Sequence, residues 1–481
     1  MGKTSIVHRL IIAAIIFAGF VVLYYVSRVI FCDYPACMDE YNYLYQAKIF
    51  ASGHMYVHAD SKLKDLFETW TVFTNGKLFS EFPPGFSAIL SLGVKLGLPG
   101  IINPLLSAGT LLLIYFIGAE LSGSLFSLLA LFLIITNGYF LGYGASYFAH
   151  PFSLFLSSLA LFTYLRYKIT QRNIFLSVTA LVLGVATLVR PLDAFCLWVV
   201  LFFDIVVGRT DKKVRVLFSF SILSALGVVL LVIYNRVLAG KWEIALFPVF
   251  HWDFKLPEGQ AVPSLVQTKT FLRTYLDNFQ STFWPLLKDD FVPNLACWIP
   301  FIILSFSKLR QGNFNFRSFR WVLLIYSLVI VAAYNAGPQD YYGWSQYGAR
   351  YWYILITPLA LLVIEGLGVM HTIFSRPILG VILGALILWQ INHAFDIFKN
   401  YSKRFDFIQQ TQVDIDESCP AKSIVILTRP KNWKGPRFVQ WEDFRRNPFL
   451  TGPRVYLWGN WHLNAIRSSY PDYSVCYYHF K

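Results

Sequence analysis

Charge is scarce in this chain: Asp, Glu, Lys and Arg make up 14% of its 481 residues, where a soluble domain carries about a quarter. So few charges cannot build an aqueous surface. The signatures of several soluble enzyme classes are missing too. There is no Walker A loop, no Gly-x-Gly-x-x-Gly after a strand, no His-Glu-x-x-His and no paired Cys-x-x-Cys, which argues against an ATP-driven pump or a zinc protease. Neither an internal repeat nor a low-complexity segment is visible.

What is present is apolar. Hydrophobic residues reach 56% and mean hydropathy is +0.51. Runs at 11–24, 105–116, 222–233 and 378–388 carry no charge, and with their flanks they approach the roughly 20 residues needed to cross a bilayer. In hydrocarbon each backbone N–H and C=O must be satisfied within the segment, so these runs fold as helices. The first run is too long for a signal-peptide core and no small-x-small cleavage site follows it, so it reads as a retained helix.

The net charge of +14 comes from Lys and Arg in short loops between apolar runs, the pattern that marks a cytoplasmic face rather than a nucleic-acid partner. Placing the basic segments Lys3/Arg9, 166–172, 209–215 and 308–320 inside puts the N-terminus inside and the C-terminus outside. Of four apolar runs beginning near 84, 102, 123 and 151, orientation requires an odd number to cross. The run between Pro83-Pro84-Gly85 and Pro99-Gly100 is the shortest and reads as juxtamembrane or re-entrant. The expectation is an all-α polytopic membrane protein with about eleven transmembrane helices over residues 1–396. A small extracytoplasmic α/β domain follows at 397–481, with β-like runs at 423–428, 454–458 and 473–478. Long outer loops fall at about 31–101 and 240–288. The second contains His251, Trp252, Asp253, Lys255 and Glu258, and is expected to line an acceptor or lipid cleft.

Six cysteines add a compartment signal. Cys196 and Cys297 lie at or near helices. Cys32 and Cys37 are close enough in sequence to bridge, and Cys419 and Cys476 are placed to close the tail in an oxidising compartment. Free thiols without a role are the alternative in both cases.

Ionisable residues at the outer helix ends are the candidates for chemistry. Asp39 and Glu40 follow the first helix and suit a general base that deprotonates an acceptor hydroxyl; a carboxylate merely solvated in a loop is the plainer reading. Glu81, before two prolines that stiffen its segment, suits acceptor orientation, metal binding or assistance to the base, or is an ordinary helix-start acid. Lys77, Arg190 and Arg350 suit a phosphate or pyrophosphate leaving group. Snorkelling or pairing with a nearby acid, such as Arg190 with Asp193, is the alternative. A short second outer loop holds Tyr143, Tyr147 and His150.

These residues fall into a familiar order. Met38-Asp39-Glu40 with Tyr43, Ala47 and Gly53 resembles the first outer loop of the GT-C glycosyltransferases, above all the protein O-mannosyltransferase and lipid A aminoarabinose transferase group. Glu81-Phe82-Pro83-Pro84-Gly85 resembles that group's Pro-Pro motif, and Asn103-Pro104-Leu105 through Gly118 the helix after it. Leu183-Gly184 through Arg190-Pro191 is similar to its Gly…Arg-Pro segment, and Tyr347-Gly348-Ala349-Arg350-Tyr351 with Pro358 to a late Gly-x-Arg-Tyr…Pro motif. The tail, with Asn447-Pro448, Asn460, Tyr470-Pro471 and Tyr477, is similar to the extracytoplasmic end of bacterial members. The resemblance implies a polyprenyl- or dolichyl-phosphate-linked sugar donor, an extracytoplasmic site and inversion at the anomeric carbon. It also implies Asp39 as base, Glu81 as the acid near Pro-Pro and Arg350 as phosphate ligand. One departure stands out: many members carry an Asp in the second outer loop, where this chain has Ala149-His150-Pro151. His150 there is a hydrogen-bonding or metal-binding substitute or a plain helix-start residue, so a divalent metal stays an open cofactor.

The partners expected are the lipid-phosphate sugar, membrane lipids and an envelope glycan, lipid or protein acceptor. Two other readings compete. A transporter of lipid-linked glycans predicts inverted repeats and charges deep in the spans, whereas here the acids cluster at the outer face. An oligosaccharide ligase or polymerase shares the donor class and differs in donor size.

Overall fold

The computed structural model describes residues 6–58, 71–208, 213–246, 295–335, 350–428, 454–458 and 463–480. The chain forms a helical bundle capped at one end by two small sheets. Helix α1 (Ile6–Tyr25) continues through a wider turn at Val26–Ile30, and a loop leads to α2 (Met38–Ala51). Strands β1 (Val57–His58), β2 (Thr71–Thr74) and β3 (Lys77–Ser80) pair antiparallel in the order β1-β3-β2. Helix α3 (Pro84–Lys95) follows, with proline in its first turn where a missing N–H costs nothing. Its 12 residues are too few to cross a bilayer, which fits the juxtamembrane expectation.

The bundle continues with α4 (Ile102–Leu121), α5 (Ser124–Ile135), α6 (Gly138–Gly144), α7 (His150–Thr170), α8 (Asn173–Thr187), α9 (Pro191–Val207) and α10 (Lys213–Ala239). Asn137 separates α5 from α6: its side chain accepts from the Tyr139 and Phe140 N–H groups, capping α6 and bending the pair by 72°. Helices α11 (Ile299–Ser305), α12 (Phe314–Asn335), α13 (Ile356–Ile373) and α14 (Arg376–Ser418) complete the helical part. Close approach between neighbours uses small residues, as lipid-embedded packing requires. Gly227 of α10 lies so near the Gly184 carbonyl of α8 that no side chain fits between them.

Among the described residues, six helices are long and apolar enough to span a membrane, or seven if α5 and α6 form one bent span. The chain is an integral membrane protein. The expected count of about eleven is not reached on this measure, for a physical reason. Helix α7 is 21 residues long but lies inside the bundle, with Ser153, Ser157, Ser158, Thr163, Tyr164 and Tyr167 all buried. A helix wrapped by other helices need not be apolar. Helices α8 and α9, at 15 and 17 residues, are short as well.

Helix α14 is 43 residues long, and the expected boundary at 396/397 falls inside it. Beyond it, β4 (Ser423–Thr428), β5 (Arg454–Trp458), α15 (Leu463–Ser469) and β6 (Ser474–His479) form a parallel sheet in the order β5-β4-β6. Cys419, at the C-terminal end of α14, forms a disulfide with Cys476 of β6. Cys32 and Cys37 are free thiols, contrary to the bridge considered for them: both sit in the turn entering α2, where Cys37 caps the helix from extended backbone.

This sheet packs on the first one, Leu78 of β3 being buried with Ile424, Val455 and Ile466. Arg404 of α14 donates to the Ala36 carbonyl at 2.6 Å, while Phe31 packs its ring against Phe398, Tyr401 and Phe405. The opposite end of the bundle carries Lys168 bonded to Asp204 at 2.8 Å, Arg166 to Glu120 at 3.1 Å and Arg320 to Glu365 at 3.0 Å. The basic segments of α7 and α12 thus lie at the end away from the sheets.

Candidate active site

The two adjacent acids of α2 diverge because a helix turns by about 100° per residue. Asp39 faces a partly open space, its side chain 18% exposed, and forms an ion pair with Arg350, which precedes α13. Glu40 faces the interior, fully buried, and accepts the Tyr147 N–H at 2.8 Å. Burial pushes the Glu40 carboxyl up to about 8, the Tyr147 N–H offsetting part of the rise. Through that hydrogen bond Glu40 anchors the loop before α7 to the first turn of α2.

Arg350 also donates to its neighbour, the Tyr351 hydroxyl, at 2.9 Å and lies 4.9 Å from that ring's centre. Arg190, at the α8–α9 junction, approaches the same ring to 5.3 Å. It is held by Asp193 at 2.7 Å and by the Tyr334 hydroxyl of α12 at 2.7 Å. Asp193, 2% exposed, also takes hydrogen bonds from Ser153 at 2.8 Å and from Tyr334. Tyr334 stacks on Tyr351 at 4.8 Å. Two guanidinium groups thus share one aromatic pair, a geometry that keeps both cations in place. Arg190 has the Asp193 partner anticipated as its alternative reading, and it is in the cluster as well.

Tyr43 lies one helical turn beyond Asp39 and feels the charges of Arg190, Asp39 and Arg350; burial holds its phenol above the usual range. Phe82 stacks on Tyr43 at 4.6 Å and Phe86 meets it edge-on at 5.3 Å. The Pro-Pro segment is thereby docked beside the site. Gly85 donates to the Leu188 carbonyl at 2.7 Å, and a Cβ on Gly85 would sit 2.6 Å from that oxygen. So the segment carrying Glu81 abuts the turn carrying Arg190. Glu81 itself is 3% exposed between β3 and α3.

His150 begins α7, 5% exposed, among Phe148 at 5.2 Å, Tyr143 at 5.6 Å and Tyr351 at 6.2 Å. Tyr147 is a brace, its hydroxyl on the Asp33 carbonyl at 3.3 Å. Lys77 is not brought into the cluster: it donates to the Val237 carbonyl at 2.9 Å and covers the Tyr56 ring. At the start of β3 it fastens the first sheet to the end of α10. The loop residues His251, Trp252, Asp253, Lys255 and Glu258, and Tyr347-Gly348-Ala349, Asn447-Pro448 and Asn460, lie outside the described residues.

Sequence reasoning missed Tyr334 and the bracing role of Ser153. Each lies in a helix and carries no local signal beyond a polar group near the end of an apolar run. Among the described residues no group of three or more His, Cys, Asp or Glu side chains lies together as a metal site.

No family model matches the chain, and no curated protein matches its sequence. Solved structures do match its fold. ArnT from Cupriavidus metallidurans bound to undecaprenyl phosphate aligns over 97% of this chain and 89% of its own, with 12% identity and a TM-score of 0.58. The same protein in the apo state gives 96% and 89%, with 13% identity and 0.59. The Archaeoglobus fulgidus oligosaccharyltransferase in the apo form aligns over 92% of this chain and 64% of its own, with 13% identity and 0.52. The chain has the fold of the GT-C membrane glycosyltransferases, as its motif order implied.

Proposed function

We propose that this chain is an inverting glycosyltransferase that takes one sugar from a polyprenyl- or dolichyl-phosphate donor and transfers it to an extracytoplasmic acceptor. The observation that carries the reading is the Asp39–Arg350 pair beside Arg190, at one end of a GT-C bundle. Asp39 is the only one of the three candidate acids whose side chain is substantially accessible. That ArnT is bound to undecaprenyl phosphate supports a donor of that class.

The chemistry follows from the ion pair. A donor phosphate competes with Asp39 for Arg350, because guanidinium binds phosphate through paired, charge-assisted hydrogen bonds. The exchange places a cation on the leaving group and frees the carboxylate. Asp39 then takes the proton of the acceptor hydroxyl as its oxygen attacks the sugar C1 from the face opposite the phosphate. The C1–O bond breaks with its electron pair going to the lipid phosphate, stabilised by Arg350 and Arg190.

We assign the site to the extracytoplasmic face, with residues from about 397 forming a lobe on the same side. The basic ends of α7 and α12 lie away from it, and a disulfide closes the tail. Transfer by purified protein tests the reading, using short-chain polyprenyl-phosphate sugars with envelope extract. The expected result is a glycosylated acceptor with inverted anomeric configuration. Inertness with every monosaccharide donor, and turnover of a pyrophosphate-linked oligosaccharide instead, would favour the ligase reading that the oligosaccharyltransferase fold keeps in view.

A further inference from the structure

Two buried polar groups at this site have no hydrogen-bond partner among the described residues. Neither ring nitrogen of His150, a residue only 5% exposed, is bonded among them, and the buried Nε of Arg350 is likewise unpaired there. Buried polar groups are nearly always satisfied, so two such groups beside one aromatic ring mark a place where a ligand supplies the partner. The surroundings define what that partner is. Arg190 and Arg350 are both near enough for their charges to act on the His150 ring. Helix α7 starts at His150 without a side-chain cap, so the partial positive charge of its first turn adds to theirs. An imidazole has at least one N–H in any protonation state. That N–H and the Arg350 Nε–H both donate, beside two guanidinium groups, so the partner that suits them is an acceptor carrying negative charge.

We infer that His150 is a donor-phosphate ligand: its imidazole N–H, with the Arg350 Nε, closes an anion site between Arg190, Arg350 and the N-terminus of α7. The inference rests on the proposed glycosyltransferase reading and adds a further group that holds the donor phosphate. The His150 ring is seated among Tyr143, Phe148 and Tyr351, so it presents its N–H with little freedom to move. Exchange of the Arg350–Asp39 pair for phosphate then has a fixed point around which the anion turns.

The test measures binding of a short-chain polyprenyl phosphate, without sugar or acceptor, to the full-length protein in detergent. His150→Phe keeps the ring packing and deletes the N–H; His150→Asn keeps a donor near the same place. A charge-assisted hydrogen bond predicts about 10- to 100-fold weaker binding for His150→Phe, with much of the loss recovered in His150→Asn. Equal affinity of wild type and His150→Phe overturns the inference and leaves the glycosyltransferase reading standing. Equal losses in both variants also overturn it, because packing rather than hydrogen bonding would then be responsible. If wild type binds no polyprenyl phosphate at all, the inference falls together with the reading it rests on.

Discussion

Replacing Glu40 by Gln separates the two neighbouring acids of α2 by their physics. Glu40 is fully buried and its carboxyl is pushed from 4.5 up to about 8. A folded value above the unfolded one means that the fold prefers the protonated acid. Stability from this group is therefore complete below about pH 4.5 and is lost as pH rises through about 8. At roughly 1.4 kcal/mol per pH unit, the loss over that window is on the order of 4–5 kcal/mol. Gln keeps an oxygen for the Tyr147 N–H and has nothing to ionise. Glu40→Gln should match wild type in thermal unfolding near pH 4.5 and exceed it increasingly up to about pH 8, above which the difference levels off, while retaining transfer activity. A stability difference that does not change with pH would refute the reasoning. So would a variant less stable than wild type at pH 9, because Glu40 would then be a stabilised carboxylate.

Gly85→Ala should cost about 1–3 kcal/mol, since its Cβ would lie 2.6 Å from the Leu188 carbonyl and 2.8 Å from Val189. Because Arg190 follows directly, donor KM should rise alongside the lower melting temperature; no change in either contradicts the docking of the Pro-Pro segment. Cys419 and Cys476 should resist a membrane-impermeant thiol reagent until reduced. Replacing both by Ser should cost about 4 kcal/mol for a loop of 57 residues. Immediate labelling of the folded, unreduced protein rules the bridge out.

The parts of the fold that follow from local rules were legible. The three strands of the tail show as apolar runs at 423–428, 454–458 and 473–478, and fold within a residue of those limits. The hairpin β2–β3 was equally readable: Asn75-Gly76 between Thr71–Thr74 and Lys77–Ser80 is the strongest short signal for such a turn, and both residues take positive φ. Reading residues 31–101 simply as a loop overlooked it. Helix number was harder, because hydropathy reports lipid contact and α7 touches other helices instead. Within the site, Asp39 and Glu40 are identical in type and adjacent in sequence. Only the packing of Tyr147 and Arg350 tells them apart. Lys77 and Arg190 were equivalent cations by sequence, and one joins the cluster while the other fastens a strand to α10. Such assignments depend on contacts between residues more than a hundred positions apart, which no local pattern encodes.

The most direct test of the account is transfer from a polyprenyl-phosphate sugar by Asp39→Asn, measured beside its affinity for the lipid phosphate alone. The account predicts that transfer falls by about 10²- to 10⁴-fold, the usual worth of a general base. Lipid-phosphate binding should hold or tighten, because Arg350 no longer has a carboxylate to release. Undiminished transfer in the folded variant would contradict the assignment of Asp39 as base, and with it the central claim.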